Sequence, residues 1–341
     1  MLSFSPVAIA SACSGVRVLA WTMGAGGATG HAFHAGVLSA IVDETGWDPR
    51  SADMIVGTSA GSGVAAILRI GLSGRDLAAR AMGQPISAEG QRITARLGAP
   101  VSGFGTPDPR PAGPTVADGP RTIAGPAVLA QAMRRPFSTR IGSVAAAFIP
   151  PGRRSTAPIA AGLRSVHGPG WPEKPLWINA VRLDTGQRVV FGRSGSPPAE
   201  LGEAVAASCA IPGYFEPVEI DGVRYVDGGA HSPTNADVLG NGRELDLDMV
   251  IVSSPMSVAR RNMRATPDIA MRLLFHRYLV NEITRLRRRR IPVLTFEPTS
   301  EDLAVMGINP MDWTRRPRVV QQVRDSARRR INAKGWTQWI A

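Results

Sequence analysis

Two short segments far apart in the chain, Gly57-Thr58-Ser59-Ala60-Gly61 and Asp227-Gly228-Gly229, constrain the fold more than any other feature. Ahead of the first lies Asp53-Met54-Ile55-Val56, a run rich in strand formers; behind it, Ser62–Leu68 reads as a buried helix. The pentapeptide is then a sharp strand-to-helix turn with Ser59 at its apex. Gly57 and Gly61 remove the Cβ clashes that would close such a turn. A serine held there is a candidate nucleophile, with the helix dipole and free N–H groups behind it aimed at developing negative charge. A glycine-rich turn of no catalytic use is the plain alternative.

A glycine-rich stretch precedes this turn. Val16–Trp21 reads as a first strand, Gly24-Ala25-Gly26-Gly27-Ala28-Thr29-Gly30 as a loop, and Ala32–Val42 as an apolar helix. Such a loop exposes backbone N–H groups that bind an anion. One reading of that anion is a dinucleotide pyrophosphate. The G-x-G-x-x-G spacing fits only after a shift of one residue, and Asp43 and Glu44 fall where the helix ends rather than at a strand end. The other reading is the oxyanion of an acyl-transfer intermediate, favoured by a candidate nucleophile about thirty residues downstream.

Asp227 follows Val223-Arg224-Tyr225-Val226, which is strand-like. Asp-Gly is also the commonest tight-turn pair, and Asp221-Gly222 shows that use, joining Pro217–Ile220 to Val223–Val226 as a hairpin. An aspartate of ordinary pKa, ~3.9, is a weak base toward a serine hydroxyl. It becomes competent in a dry site within hydrogen-bond reach.

Taken together, the glycine loop, Gly-Thr-Ser-Ala-Gly and Asp-Gly-Gly resemble, in order and spacing, the patatin-like phospholipase family. A fourth block, Ala207-Ser208-Cys209-Ala210-Ile211-Pro212-Gly213-Tyr214-Phe215-Glu216-Pro217-Val218, is similar to that family's Ala-Ser-x-Ala-Ile-Pro-x-x-Phe-x-Pro-Val segment. The resemblance covers residues 16 to 229. It implies a three-layer α/β/α fold around a mainly parallel sheet. It also implies a Ser59–Asp227 dyad supported by Gly228 and Gly229, an oxyanion hole at Gly26, Gly27 and Ala28, and hydrolysis of lipid esters through an acyl-enzyme. No cofactor or metal is implied, and calcium independence is expected. The family's usual Gly-Gly-Gly-x-Arg-Gly reads here Ala25-Gly26-Gly27-Ala28-Thr29-Gly30. Thr29 cannot supply an arginine's charge-assisted hydrogen bonds, which puts a preference for phosphorylated head groups in doubt.

Two other readings stand beside this one. The histidines are His31, His34, His167, His231 and His276. A Ser–His–Asp esterase needs one of them as base. His276 lies on a helix with Ile269, Leu273, Val280 and Ile283 at helical spacing and reads as a core residue, and His231 follows Asp227 too closely to be a late triad base. His31 and His34 lie beside the glycine loop and lack further ligands for zinc. The second alternative is a non-catalytic protein binding anionic lipid or nucleic acid. Residues 260–330 hold 17 arginines against 7 acids, +10 of the formal +12. Basic clusters attract anionic membranes or nucleic acid. With only two lysines, Lys174 and Lys334, a compositional bias toward arginine explains the same charge, and no nucleic-acid motif accompanies it.

At 341 residues the chain reads as one domain, 1–341, with a Pro/Gly-punctuated cap over 84–172 and a basic helical part over 260–330. Within the cap, short helices are expected at Ala127–Met133 and Val144–Phe148. Further strands are expected at Leu176–Val181, Leu247–Ser253 and Ile291–Glu297, a helix at 267–288, and a helix start at 298–303. Arg318–Arg330 is expected to be a solvated last helix. Cys13 and Cys209 give no disulfide framework, and Pro6–Ala12 lacks the basic flank of a signal peptide. A cytoplasmic enzyme is expected, with peripheral contact to an anionic membrane open.

Overall fold

The computed structural model describes residues 18–96, 149–240, 246–259 and 266–336. The expected helices at 127–133 and 144–148, and most of the 84–172 cap, lie outside these residues.

Eight strands form one sheet: β1 (Leu19–Met23), β2 (Met54–Thr58), β3 (Leu176–Arg182), β4 (Arg188–Phe191), β5 (Val218–Ile220), β6 (Val223–Asp227), β7 (Met249–Ser253) and β8 (Val293–Phe296). The order is β5-β6-β3-β2-β1-β7-β8, with β4 also paired to β3. The β3-β2-β1-β7-β8 pairs are parallel, and β4, β5 and β6 run antiparallel to their neighbours. The β5–β6 hairpin turns on Asp221 and Gly222, both at positive φ, as the tight-turn pair demands.

Burial on both faces explains the apolar central strands. Leu19, Trp21, Met23, Ile55, Ile178 and Ile251 enter one core, and Ala20, Met54, Val56, Trp177, Val250 and Val252 the other. Alternate residues of each strand thus serve opposite layers, as the two-residue period of a strand requires. The first layer holds α1 (Gly27–Thr45), α2 (Ala60–Ile70) and α3 (Gly74–Ala81) and, after the short α4 (Ala88–Ala95), α5 (Ala157–His167) and α6 (Leu201–Ser208). The second holds α7 (Ile269–Arg288) and the 236–240 turn. Helix α8 (Ser300–Met306) starts at a Thr299–Asp302 capping box, and α9 (Arg316–Ala333) follows.

Three expectations change. Helix α1 begins at Gly27, not Ala32, so only Gly24–Gly26 is loop and the remaining glycines form the first helical turn. Nothing from Ala28 to Ile41 on this helix is exposed, which fits an apolar sequence on every face. Helix α9 is not a solvated helix. Val319, Val320, Val323 and Ile331 are fully buried, because α9 lies along α1 and covers it. On α7 the buried stripe is Arg272, Leu279, Glu282, Ile283 and Leu286, and Val280 faces outward. Within 149–172, α5 packs on α6 through Ile159 and Leu163 and belongs to the core layer. Among the described residues no helix is long and apolar enough to cross a membrane.

Candidate active site

Sheet register brings the two candidate catalytic residues together. Across β2–β3, Thr58 lies opposite Asn179; across β3–β6, Asp227 lies opposite Ala180. Consecutive residues of β3 therefore hold the residue before Ser59 and the aspartate itself. Both Ser59 and Asp227 are buried. The Asp227 Oδ1 accepts the Gly229 N–H at 2.7 Å, and the Ser59 side chain stands near enough to the carboxylate to favour its charged form. Burial pushes the Asp227 carboxyl up to about 7, against the influence of Ser59 and the Gly229 N–H, which favour its charged form. A carboxylate of roughly histidine-like basicity, ~6.5, thus stands beside the serine hydroxyl.

Ser59 sits at φ 54° and ψ −123°, a conformation costing roughly 1–3 kcal/mol for a residue with a Cβ. Its surroundings hold it there. The Ser59 N–H donates to Ser208 Oγ at 2.9 Å, and Ser208 Oγ donates to the Asn179 carbonyl at 2.7 Å. The Ser59 carbonyl accepts from Ser62 N–H at 2.8 Å, from Ser62 Oγ at 2.6 Å and from Cys209 Sγ at 3.4 Å. Burial, with the nearby Asp227 charge, pushes the Cys209 thiol up to about 12, so it stays a neutral donor.

The elbow glycines are required sterically. A Cβ on Gly57 would lie 2.5 Å from Ser62 Cα, and one on Gly61 would lie 2.2 Å from the Met23 carbonyl oxygen. Both obstacles are backbone. Gly61→Ala is therefore expected to force α2 off the end of β1 and cost about 1–3 kcal/mol. Thermal melting checks this, and an unchanged Tm would refute the contact.

The same close approach sets the Gly24–Gly26 loop against the elbow. Around it the backbone donors are mostly engaged: Gly24 N–H to Ser253 O, Ala25 to Pro233 O, Thr29 to Pro310 O and Gly30 to Gly26 O. Among the described residues, the N–H groups of Gly26, Gly27 and Ala28 donate to no protein acceptor. These are the three residues expected from the sequence, at the N-terminus of a long helix where an anion is best stabilised. The loop is fixed from behind by His34, whose Nε2 lies 2.7 Å from the Gly24 carbonyl and Nδ1 2.8 Å from Ser253 Oγ. Burial pushes His34 down to about 4, so the ring is neutral. Gly228 packs so closely that a Cβ would meet the Asn179 carbonyl at 2.3 Å, and Gly229 would place one 3.4 Å from Ala25 Cβ. Nucleophile turn, aspartate turn and anion loop converge on one point at the carboxyl ends of β1 and β2.

A sequence model of the patatin-like phospholipases matches residues 22–239, more than half of the chain, and spans all four motif blocks. The chain belongs to the patatin-like phospholipase family. It is accordingly a lipid-hydrolysing enzyme. Among solved structures, VipD from Legionella pneumophila is 12% identical with a TM-score of 0.40, over 93% of this chain and 67% of VipD. The type III effector protein ExoU is 15% identical with a TM-score of 0.34, over 95% of this chain and 53% of ExoU. Human GIVD cytosolic phospholipase A2, solved with methyl gamma-linolenyl fluorophosphonate, is 11% identical with a TM-score of 0.35, over 95% and 59%. This patatin-like phospholipase thus spans little more than half the length of the latter two.

Around Ser59 and Asp227 of this patatin-like phospholipase stand residues that sequence reading did not single out. Asn235, held at φ 52°, donates from Nδ2 to Thr58 Oγ1 at 3.2 Å, to the Gly228 carbonyl at 3.2 Å and to the Ser232 carbonyl at 2.5 Å. It ties the nucleophile turn to the aspartate turn. Behind it, buried Glu282 of α7 accepts from Ser232 Oγ at 2.5 Å, Thr234 Oγ1 at 2.6 Å and Ala236 N–H at 2.9 Å. Arg188 bonds Asn235 Oδ1 at 2.9 Å and Asp237 at 2.6 Å. Burial pushes Asp237 up, but the Arg188 hydrogen bonds and charge bring its carboxyl below the usual range. Burial and the Asp237 charge raise Glu282. A buried-stripe acid on an otherwise amphipathic helix was the available signal for Glu282; nothing local marks Asn235. His276, the expected core histidine, is half-buried and lies 2.7 Å from Glu297. Among the described residues no group of three or more His, Cys, Asp or Glu is arranged around a metal site.

Proposed function

We propose that this enzyme cleaves carboxylic esters of lipids through a Ser59–Asp227 dyad. Ser59 Oγ attacks the ester carbonyl carbon while its proton passes to Asp227. The N–H groups of Gly26, Gly27 and Ala28 hold the resulting oxyanion, aided by the α1 and α2 dipoles. Collapse breaks the bond to the alcohol oxygen, which leaves with the proton from Asp227. Water, deprotonated by Asp227, then attacks the acyl-enzyme and releases the fatty acid and free Ser59.

The observation that carries this reading is the sheet register that brings a buried carboxylate, raised to about 7, beside a serine held at φ 54°. It also favours a dyad over a Ser–His–Asp triad, since the ring nitrogens of His34 are bonded to Gly24 and Ser253. With Thr29 in the family's arginine position, simple esters, lysolipids and neutral lipids rank with diacyl phospholipids as substrates. Peripheral contact with an anionic membrane is supported by the exposed Arg287–Arg290 run at the end of α7 and by exposed Met271 and Leu274 near its start.

A fluorophosphonate probe tests the reading. Native protein is expected to label and Ser59→Ala to lose the label completely. Labelling that persists in Ser59→Ala would place the nucleophile elsewhere.

A further inference from the structure

Away from the dyad, one cavity of about 610 Å³ is lined by two arginines, Arg80 at the end of α3 and Arg316 at the start of α9. That volume lies within the ~300–1,000 Å³ typical of small-molecule sites. Apolar surface from Met82, Ile86, Trp313 and Pro317 forms much of the remaining wall. Arg316 is only 3% exposed, yet its Nε and Nη2 meet no acceptor among the described residues. Its guanidinium lies 5.2 Å from the centre of the Trp313 ring, a cation–π contact that replaces part of the lost hydration but accepts no hydrogen bond.

Among the described residues no carboxylate pairs with either arginine. Burial, with a smaller contribution from the charge of Arg80, pushes Arg316 down to about 10; Arg80 is lowered by burial alone. Both charges also act on buried His31, which burial already holds well below its ordinary value. Two cations sharing a cavity without an acid are strongly destabilising unless an anion joins them. Guanidinium forks match the paired oxygens of carboxylate and phosphate. The apolar walls add a requirement that a bare ion does not meet.

We propose that this cavity binds a single-chain anionic lipid, its oxyanion head between Arg80 and Arg316 and its hydrocarbon along Met82, Ile86 and Trp313. A fatty-acid carboxylate and a lysophospholipid phosphate present the same head chemistry. The cavity does not include Ser59 or Asp227, but it is joined to the glycine loop beside them through one stretch of chain. Residues 310–316 carry Arg316 at one end and, at the other, the Pro310 carbonyl that accepts the Thr29 N–H at 3.0 Å. An occupant therefore braces the segment packed on the oxyanion loop. That segment is close: a Cβ on Gly27 would lie 2.7 Å from the Pro310 oxygen.

Calorimetric titration of the full chain carrying Ser59→Ala tests this without turnover, so its outcome is independent of the dyad. The probes are oleate, oleoyl-lysophosphatidate, neutral monoolein and inorganic phosphate. One anionic lipid per chain is expected to bind with an affinity lowered about tenfold or more by Arg80→Gln. Monoolein should lack that arginine-dependent component, and phosphate should bind far more weakly. Equal loss for oleate and lysophosphatidate marks shared head recognition, whereas loss for one alone assigns that lipid as the source. Affinities unchanged by Arg80→Gln would overturn the proposal, as would phosphate binding as tightly as the lipids. Arg316→Met supplies a second measure. In ligand-free protein it is expected to raise Tm, because it removes an uncompensated buried charge, and to abolish the Tm gain given by oleate. A fall in ligand-free Tm would mean that the guanidinium already has its acceptor within the chain, and the site would be refuted.

Discussion

Replacing Asp227 by Asn is expected to lower kcat/KM by roughly 10³–10⁴-fold, the upper part of what a positioned general base contributes. The native enzyme should in turn show kcat/KM rising tenfold per pH unit up to about 7 and flat above it, because only the carboxylate accepts the serine proton. The same group makes a prediction of opposite sign for stability. The folded-state pKa, about 7, lies above the unfolded value of ~3.9. Between these values the folded chain holds a proton that the unfolded chain has released, so stability falls as pH rises from about 4 to about 7 and then levels. Asp227→Asn removes that dependence and is expected to be more stable than native at pH 8, by roughly 1–3 kcal/mol. Rate–pH profiles and melts at pH 5 and 8 measure both. A rate midpoint near 4 with no stability gain in the variant would mean that the carboxylate is solvated and the desolvated-base mechanism is wrong.

What was legible beforehand follows the range of the forces involved. Ser59 and its glycines are a local steric problem, so five residues suffice to announce the turn, and the 2.2 Å clash at Gly61 is its three-dimensional form. Gly26, Gly27 and Ala28 are expected at the anion from residue type alone, whereas the helix expected from Ala32 begins at Gly27. A glycine run reads as loop, whereas here it serves as the first turn of a helix whose free N–H groups are the point. The partners of the site are long-range. Ser208 meets Ser59, and Asn235 meets Thr58, only because β3 stands between β2 and β6. Nothing in the neighbourhood of Asn235 encodes that. Helix α9 misled for a related reason. Its arginines dominate the composition, yet Val319, Val320, Val323 and Ile331 fall on one face, and that face is what α1 requires for cover. Charge on the outer face says nothing about the inner one.

Glu282 offers the second large effect, and it acts through position rather than contact with substrate. Three buried donors converge on it: the hydroxyls of Ser232 and Thr234 and the Ala236 N–H. Within the segment they fix, the Pro233 carbonyl accepts the Ala25 N–H of the anion loop at 2.8 Å, and Asn235 bonds both Thr58 and Gly228. One carboxylate thus anchors the only described stretch that touches all three parts of the site. Glu282→Ala strands three buried donors away from water. The expected loss is roughly 3–5 kcal/mol, or a Tm lower by roughly 5–10 °C. Because the anchor sets geometry, kcat should fall at least tenfold while KM changes little, and the pH midpoint near 7 should shift as Asp227 becomes hydrated. Glu282→Gln keeps one acceptor oxygen and turns the other into a donor facing donors, so it should lie between native and Ala in both Tm and kcat. A Glu282→Ala enzyme that melts lower but keeps the native kcat and pH midpoint would reduce Glu282 to a packing residue and detach the 232–236 segment from catalysis.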